Sequence, residues 1–410
     1  MSDNNDIFNK LRDKLKSQFQ KAYKDSDTVF QKASEEKPPT GLIVDNPLLE
    51  FVLDRRFMAY GRFYLIYGEK GSCKTSLFYD LCKLVQRNKG KVIWLETENA
   101  IDLDYAKKQG VDLDDVLLVH PQTLEEALNI AERTIRLLKD EDPEGDMPVL
   151  ICLDSIAGSV TEYEQDATND MTNTVPGAHA RLLSRFYREM EHPLANEHCI
   201  FLALNQQKSK IGGFGFSAES KISLMGGEAP RFSSTYQWSM DKLGELKQKN
   251  KNNKAERKYG SKHEIKCIRN KLGREGPSQK VEFDLYIDGG IDWYSPLVRK
   301  LGEEYGDLVD YSSATKTRWK IADVHYIKAD GTDGIIPTGT DKDDPETYGV
   351  MHERQLAQMI ASSTQAKEII RTAFGIPPLP AEEVVQEVEK ERKAKRNKKK
   401  AQEAEKEKEL

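Results

Sequence analysis

Residues 61–75 read GRFYLIYGEKGSCKT, and this stretch decides how the central part of the chain must fold. Its apolar and aromatic first half predicts a buried strand, and its second half is a glycine-rich turn that ends in Lys74 and Thr75. A helical pattern, SLFYDLCKL, follows directly. A strand, a glycine-rich turn and a Lys-Thr pair at a helix start form a cradle for nucleotide phosphates, because backbone N–H groups and the positive helix end face the anion.

The predicted cradle consists of consecutive residues, namely Gly68, Glu69, Lys70, Gly71, Ser72, Cys73, Lys74, Thr75 and Ser76. Lys74 would reach the β- and γ-phosphates of ATP, and the Thr75 hydroxyl would ligate Mg²⁺. The usual pattern is G-x-x-x-x-G-K-[ST], and Cys73 stands where the second glycine is expected. A Cβ there could be tolerated or could weaken nucleotide binding. The alternative interpretation is a glycine-rich turn that arose by chance.

The composition narrows the class of protein. The chain has 410 residues, enough for one large domain and a smaller one, and its net charge of -6 excludes a single-sign field over the whole molecule. No apolar run approaches the length of a transmembrane helix, and the N-terminus lacks an apolar signal core. The five cysteines show no metal-binding spacing. We therefore expect a cytoplasmic protein from a reducing compartment, without a membrane partner.

The middle of the chain alternates between strand and helix patterns. The predicted strands are 62–67, 91–96, 149–154 and 199–204, and the predicted helices are 75–87, 123–138 and 177–191. This alternation predicts an α/β fold with a parallel sheet. Three further strands, at 232–240, 262–270 and 279–287, follow one another without helices and predict an antiparallel extension. We interpret the lysine-rich stretch 242–262 as a solvated loop.

The pattern divides the chain into four expected segments. Residues 1–59 contain a helical pattern at 7–24 and a linker, and the helix could dock on a neighbouring subunit or pack on its own core. Residues 60–300 form the nucleotide-binding core. Residues 301–380 are a small α+β appendage, and 381–410 are a charged tail, helical or disordered, whose basic cluster could attract nucleic acid.

Polar residues follow three of the predicted parallel strands at the same sheet edge, where ligands bind in α/β proteins. Asp154 closes an apolar strand and would hold magnesium, although it could instead cap the next turn. Glu98 is the better candidate to activate a water molecule, and Glu96 could be a structural carboxylate. Gln206 could hydrogen-bond the γ-phosphate and thereby distinguish ATP from ADP.

The segment after Gln206 is long and glycine-rich, with spaced lysines and two aromatic residues, which is typical of a functional loop. Such residues suit single-stranded DNA, because lysines follow the backbone and aromatics stack on bases. The alternative is a lid over the nucleotide. A second loop at 161–176 leads into the helix with Arg181. The candidate DNA-binding residues are Arg181, Gln207, Lys208, Lys210, Gly212, Gly213, Phe214, Phe216, Lys221, Gly226 and Gly227.

Taken together, these residues resemble the RecA-type recombinase family over roughly residues 60–300, and most nearly its phage UvsX branch. The segments that match the family follow one another in the same order as in the family. They are 61–75, 98–106, 110–113, 153–157, 205–206 with the glycine-rich segment, 269–271 and 289–294. It implies a RecA-like P-loop ATPase core with a mixed, mainly parallel central sheet, an N-terminal helical segment and the small C-terminal appendage.

The resemblance also implies roles for single residues. Glu98 would be the glutamate that activates water, and Gln206 the γ-phosphate switch. Asp102 and Tyr105 would contact the adenine. Two cations on one strand face, Arg269 and Lys271, would reach across a subunit interface to the ATP of a neighbour, although from the residues alone they could equally form an exposed polar face. An F-x-x-A polymerisation pattern fits Phe30 and Ala33 or, equally, Phe19 and Ala22.

The implied function is that of a DNA-dependent ATPase that forms a helical filament on single-stranded DNA and exchanges strands with homologous duplex DNA, in repair and recombination-dependent replication. ATP and Mg²⁺ would be the cofactors, and single-strand-binding and loader proteins the partners. A hexameric DNA helicase on the same fold is one alternative, and it would form closed rings. A non-hydrolysing DNA-binding filament protein is another, if Cys73 disables the loop.

Overall fold

We describe a computed structural model of the chain over residues 2–23, 30, 32–35, 38–142, 147–166, 177–209, 222–249, 256–276, 278–344 and 347–379. These residues fall into two compact units, which divide between residues 39 and 40. Within the described ranges, no helix is long and apolar enough to cross a membrane.

The N-terminal unit is built on helix α1 (Ser2–Ala22), which begins five residues earlier than the predicted pattern at 7–24. The ring of Phe19 stacks on Tyr23 at 4.7 Å and meets Phe30 edge-on at 5.6 Å between centroids. A short 3-10 helix follows at Ala33–Glu35. Both phenylalanines of the two F-x-x-A patterns therefore pack against each other.

The larger unit begins with the elements of the core. Its strands are β1 (Gly41–Ile43), β2 (Phe57–Ala59), β3 (Arg62–Gly68), β4 (Lys91–Glu96), β5 (Val116–Val119), β6 (Val149–Asp154), β7 (Cys199–Ser209), β8 (Ile222–Leu224), β9 (Tyr236–Lys249), β10 (Glu256–Asn270), β11 (Lys280–Tyr286) and β12 (Gly290–Asp292). Its helices are α2 (Pro47–Leu53), α3 (Lys74–Arg87), α4 (Leu103–Lys108), α5 (Leu124–Glu141), α6 (Glu162–Gln165), α7 (Ala178–Ala195), α8 (Ala229–Ser233) and α9 (Tyr294–Glu304).

In the part of the chain that the structure describes, ten strands form the central sheet in the order β12-β11-β10-β9-β3-β7-β6-β4-β5, with β8 paired to β7. The strands from β9 to β5 are parallel to one another, whereas β10, β11, β12 and β8 pair antiparallel. The predicted mixed, mainly parallel sheet with an antiparallel extension is confirmed.

Strand β3 is buried on both faces, which explains its continuous apolar sequence. Tyr64 and Ile66 pack into one hydrophobic cluster with residues of α3, and Phe63, Leu65 and Tyr67 pack into a second cluster with α5 and α7. Successive side chains of a strand point to opposite faces, so one apolar run supplies both clusters. The sheet is therefore covered by helices on both sides.

The prediction of a solvated loop at 242–262 is wrong in its described parts. β9 and β10 form a long antiparallel hairpin there, and register shifts occur at Lys258/Gly260 and Lys262/His263. The Glu245 carboxylate pairs with the ammonium groups of Lys258 at 3.1 Å and Lys247 at 3.4 Å. Opposite charges meet across the strands, and composition alone does not distinguish such a ribbon from a charged loop.

The C-terminal part of this unit is the small α+β appendage that was predicted. Its elements are β13 (Val309–Ser313), β14 (Lys316–Trp319), β15 (His325–Ile327), β16 (Asp333–Ile335), α10 (Glu353–Ala361) and α11 (Thr364–Phe374). Phe374 meets Phe51 of α2 edge-on, with ring centroids 5.1 Å apart. Arg371 makes two 2.7 Å hydrogen bonds to the fully buried carboxylate of Glu50, also on α2. The appendage therefore shares its core with α2.

Candidate active site

The predicted phosphate cradle lies between the end of β3 and the start of α3. Two of its positions require glycine. A Cβ at Gly68 would lie 2.3 Å from the carbonyl oxygen of Met240, and Gly71 has a φ of +81°, in the left-handed region. Glu69, Lys70 and Gly71 are exposed, as expected for the rim of a loop that receives a ligand.

Cys73 shows a second reason why glycine is usual at its position. Its backbone has φ 72° and ψ 24°, the left-handed conformation that costs a residue with a Cβ roughly 1–2 kcal/mol. The Cys73 Sγ lies 3.0 Å from Nε2 of His263 on β10. Burial raises the pKa of this thiol to about 12, so Cys73 stays protonated at neutral pH.

Lys74 is the first residue of α3, and its side chain folds back over the loop. Its Nζ donates hydrogen bonds to the carbonyl oxygens of Gly68 at 3.1 Å and Glu69 at 2.9 Å. Burial lowers the pKa of Lys74, whereas the carboxylates of Asp154 and Glu98 act in the opposite direction. The ammonium group thus stands between the loop and the carboxylates, where it can meet a phosphate.

Negative charge is concentrated at the adjacent strand ends. Asp154 ends β6 and is in register with Glu96 at the end of β4. Burial, followed by the charges of Glu98 and Glu96, raises the pKa of Asp154 to about 7, and Lys74 opposes this rise only in part. One lysine does not compensate three carboxylates, so the site favours a further cation.

The donor set fits Mg²⁺ bound together with a nucleotide. Among the described residues, no group of three or more His, Cys, Asp or Glu side chains could hold a metal ion by itself. Mg²⁺ keeps several waters and usually takes one or two protein ligands together with phosphate oxygens. Thr75, in the first turn of α3, and Asp154 are the residues that would supply those ligands.

Glu96 organises the turn that carries Glu98. It is only 3% exposed, and its carboxylate accepts hydrogen bonds from the backbone N–H groups of Glu98 (3.0 Å), Asn99 (2.9 Å) and Ala100 (3.2 Å). The His120 imidazole contacts the same carboxylate at 3.2 Å. Glu96 is therefore a structural carboxylate, the alternative left open by the sequence.

The side chain of Glu98 is held from two sides. Its Oε1 accepts hydrogen bonds from Ser155 Oγ and, at 3.1 Å, from Nε2 of Gln206. Ser155 Oγ also accepts from the N–H of Gly158 at 3.1 Å, and a Cβ at Gly158 would lie 2.4 Å from Glu98 Cγ. The structure thus brings the predicted water activator, Glu98, and the predicted switch, Gln206, together. It also adds Ser155 and Gly158 to the site, and their position shortly after Asp154 is the sequence feature that could have indicated them.

Asp102 and Tyr105 lie close to the cradle. Asp102 caps α4, where its Oδ1 accepts a hydrogen bond from the Tyr105 N–H at 2.9 Å. Burial raises the pKa of Tyr105, while a hydrogen bond with Ser76 acts in the opposite direction. That bond connects Tyr105 to the last residue of the predicted cradle.

The predicted DNA-binding residues are only partly within the described ranges. Gln207 and Lys208 lie on β7, whose last residues pair with β8, so this part of the segment is strand and not loop. Arg181 lies on α7, and Gly226 and Gly227 precede α8 with φ values of 80° and 68°. Lys210, Gly212, Gly213, Phe214, Phe216 and Lys221 lie outside the described residues, as does 167–176 of the second predicted loop.

Arg269 and Lys271 are not part of the cluster around Lys74. They lie near the end of β10, which pairs with Tyr236 at the start of β9, whereas Gly68 is in register with Met240. The separation along β9 is four residues, or about 13 Å. Lys271 Nζ donates to the carbonyl oxygens of Phe232 (3.1 Å) and Ser233 (3.2 Å).

Fold and loop together define the class: this is a P-loop protein with a mainly parallel α/β sheet. The sequence comparisons then give the family. Residues 35–292 match the model of the RecA N-terminal domain. Protein RecA of Gluconobacter oxydans is 30% identical over 299 residues, which cover 73% of this chain and 80% of that relative. Protein RecA of Bartonella bacilliformis is 32% identical over 254 residues (62% and 67%), and that of Geobacter metallireducens 31% over 280 residues (67% and 75%).

The chain belongs to the RecA family, and it is a recombination protein of the RecA type. Members of this family are DNA-dependent ATPases that use ATP with Mg²⁺, bind DNA and form filaments. The family membership, the fold class and the recombination function predicted from the sequence are thereby confirmed.

Proposed function

We propose that this chain hydrolyses ATP at the site around Lys74 and Glu98, and that hydrolysis is stimulated by single-stranded DNA. The protein would form a helical filament on that strand, pair it with a homologous duplex and exchange strands. It would act in the cytoplasm in DNA repair and recombination-dependent replication. Membership of the phage UvsX branch stays a prediction.

The observation that carries this proposal is the position of Glu98. Its negative charge acts on both Lys74 and Asp154. Hydrogen bonds from Ser155 and Gln206 fix the position of its carboxylate. A general base must lie within hydrogen-bond reach of the proton that it removes, and here the carboxylate is held at the strand edge where the γ-phosphate would lie. Glu98 is therefore our candidate for the residue that takes a proton from the attacking water.

The other residues of the site would bind and orient. Residues 68–76 would cradle the phosphates with backbone N–H groups, and Lys74 would leave the Gly68 and Glu69 carbonyl oxygens to meet them. Bound Mg²⁺ would neutralise charge on the phosphates, with Thr75 and Asp154 as its protein ligands. Asp102 and Tyr105 would contact the adenine.

Gln206 would couple the nucleotide to DNA. Its amide group is hydrogen-bonded to Glu98, and it precedes Gln207 and Lys208 on the same strand. If the γ-phosphate takes over the Gln206 amide, the end of β7 changes position. We propose that residues 207–227, with Arg181 and the 161–176 segment, bind DNA and respond to this change.

Assembly would place two chains around each nucleotide. Arg269 and Lys271 are remote from Lys74 along β9 and are proposed to reach the ATP of a neighbour. Helix α1 carries four apolar side chains that are about half-exposed, Ile7, Phe8, Leu11 and Leu15, which supports docking of residues 1–59 on another subunit. We further propose that the ATPase core ends at residue 300, that a small domain occupies 301–380, and that 381–410 form a charged tail. Single-strand-binding and loader proteins would be the partners.

Strand exchange tests this function directly. The protein, Mg²⁺ and ATP are incubated with a circular single strand and either a homologous or a heterologous linear duplex. We expect joint molecules with the homologous duplex only, and helical filaments on the single strand in electron micrographs. Unwinding of forked duplexes irrespective of homology, by closed rings, would instead establish the helicase. DNA binding without hydrolysis or exchange would establish the non-hydrolysing filament protein.

A further inference from the structure

The P-loop contacts a buried histidine 190 positions further along the chain. Cys73 Sγ and His263 Nε2 are 3.0 Å apart, and Ser261 Oγ lies 2.8 Å from the same nitrogen. The thiol and the hydroxyl each carry a hydrogen that can point at Nε2, whose single lone pair in the neutral imidazole accepts from one of them at a time. This contact connects the loop before α3 with β10.

His263 is held firmly enough to act as a support. It is 0% exposed, and its ring stacks on Phe283 of β11 with centroids 5.3 Å apart. It lies at a register shift of the β9–β10 pair, between Lys262 and His263, and such irregularities redirect side chains. It shares a strand face with Ile265 and Cys267, which pack in the same hydrophobic cluster as α3.

The loop needs such a support at Cys73 in particular. A residue with a Cβ disfavours the left-handed backbone that Cys73 adopts, and a glycine would adopt it freely. Strained backbone persists where the surroundings over-determine it. The thiol–imidazole contact is such a determinant, and it engages the side chain that replaces glycine.

We propose that His263 is a positioning residue for the nucleotide-binding loop: through Cys73 it holds the loop in the conformation that glycine would otherwise provide. The inference rests on the proposed binding of ATP by residues 68–76. It does not require His263 to touch the nucleotide. It predicts that the importance of His263 depends on which residue occupies position 73.

A double-mutant cycle tests this dependence. ATP affinity, measured with a fluorescent ATP analogue and Mg²⁺, and steady-state KM and kcat are compared for wild type, Cys73→Gly, His263→Phe and the double variant. Phenylalanine keeps the ring and its stacking but removes Nε2. His263→Gln is the conservative variant, because its amide can reach the position of Nε2. His325→Phe, on β15 of the appendage, is the matched control.

In the Cys73 background we expect His263→Phe to weaken ATP binding and raise KM about fivefold, the loss of one ordinary hydrogen bond, with a smaller effect on kcat. His263→Gln should recover most of the affinity, and His325→Phe should not change it. With Cys73→Gly, adding His263→Phe should have little effect. An equal loss in both backgrounds, or no loss with Cys73, would overturn the inference.

Failure of the proposed function would look different. In that case wild type itself would not bind the ATP analogue. The coupling between positions 73 and 263 can then be read from urea unfolding of the same four proteins. We expect His263→Phe to lower the unfolding midpoint more in the wild-type background than in the Cys73→Gly background. Equal lowering in both backgrounds would overturn the positioning role, whatever the protein binds.

Discussion

Alanine at position 158 would displace Glu98 without touching the P-loop. The added Cβ would lie 2.4 Å from Glu98 Cγ and 3.3 Å from both Cδ and Oε1. Carbon atoms in ordinary contact are about 3.5–4.0 Å apart, so the Glu98 side chain must move by roughly 1 Å or more. The backbone at Gly158 is not in the left-handed region, so alanine fits the chain itself.

The magnitude follows from this displacement. A shift of about 1 Å at a reacting group can lower the rate on the order of 10²-fold, so we expect a fall of that size in kcat for DNA-stimulated ATP hydrolysis. The KM for ATP should change less, because Gly68 to Ser76 are unaffected. The free energy of unfolding should stay within about 1 kcal/mol of wild type, since a side chain can move aside and alanine restricts the unfolded chain.

The assay is steady-state ATP hydrolysis with saturating single-stranded DNA, together with urea unfolding. Gly306→Ala is the matched control, because a Cβ there meets no atom within 4 Å and its φ is not positive. We expect Gly306→Ala to behave as wild type. If Gly158→Ala retained the kcat of Gly306→Ala, Glu98 would not need to be held in this position to activate water.

Three further predictions follow from other contacts. Burial, followed by the charges of nearby lysines, lowers the pKa of His263 from 6.5 to about 4, so between these pH values the unfolded chain binds a proton that the folded chain does not. The free energy of unfolding should therefore fall by roughly 2 kcal/mol more between pH 7.5 and 5 in wild type than in His263→Gln. Equal urea-unfolding profiles against pH in the two proteins would refute this. Arg371→Met leaves the Glu50 carboxylate buried and without its ion-pair partner. We expect this change to lower the free energy of unfolding by about 3–5 kcal/mol. A loss below ~1 kcal/mol would contradict a stabilising role for the Arg371–Glu50 ion pair. Lys271→Ala and Glu98→Gln should each abolish DNA-stimulated hydrolysis. Mixing the two variants should restore part of it, because one subunit would supply Glu98 and its neighbour Lys271. No recovery would contradict a role of Lys271 at the neighbour's site.

The core was predictable because its sequence patterns are local. Residues 62–67 are an apolar run before a glycine-rich turn, and β3 is a strand buried on both faces. The helix start predicted at Thr123 is present, since its Oγ1 accepts from the Glu126 N–H at 3.2 Å and Glu126 Oε2 accepts from the Gln122 N–H at 2.7 Å. Such patterns involve only residues that are a few positions apart in the sequence, so they can be recognised without knowing which distant segments meet in the fold.

The contacts that fix the site were not predictable, because they join distant parts of the chain. Ser155 and Gly158 meet Glu98 only because β4 and β6 are adjacent, and His263 meets Cys73 only because β10 folds back beside β9. The hairpin has the composition of a charged loop, and its lysines pair with glutamates both along β9 and across to β10. Pairing of this kind depends on register, which a single sequence does not define.

We propose above all that Glu98 acts at an ATP site that responds to DNA. The most direct test is the rate of ATP hydrolysis with and without single-stranded DNA, for wild type, Glu98→Gln and, as a control, Glu132→Gln on α5, whose carboxylate pairs with Arg136. We expect strong stimulation by DNA in wild type and Glu132→Gln, and none in Glu98→Gln, which should still bind ATP. Unchanged DNA-stimulated hydrolysis in Glu98→Gln would contradict it.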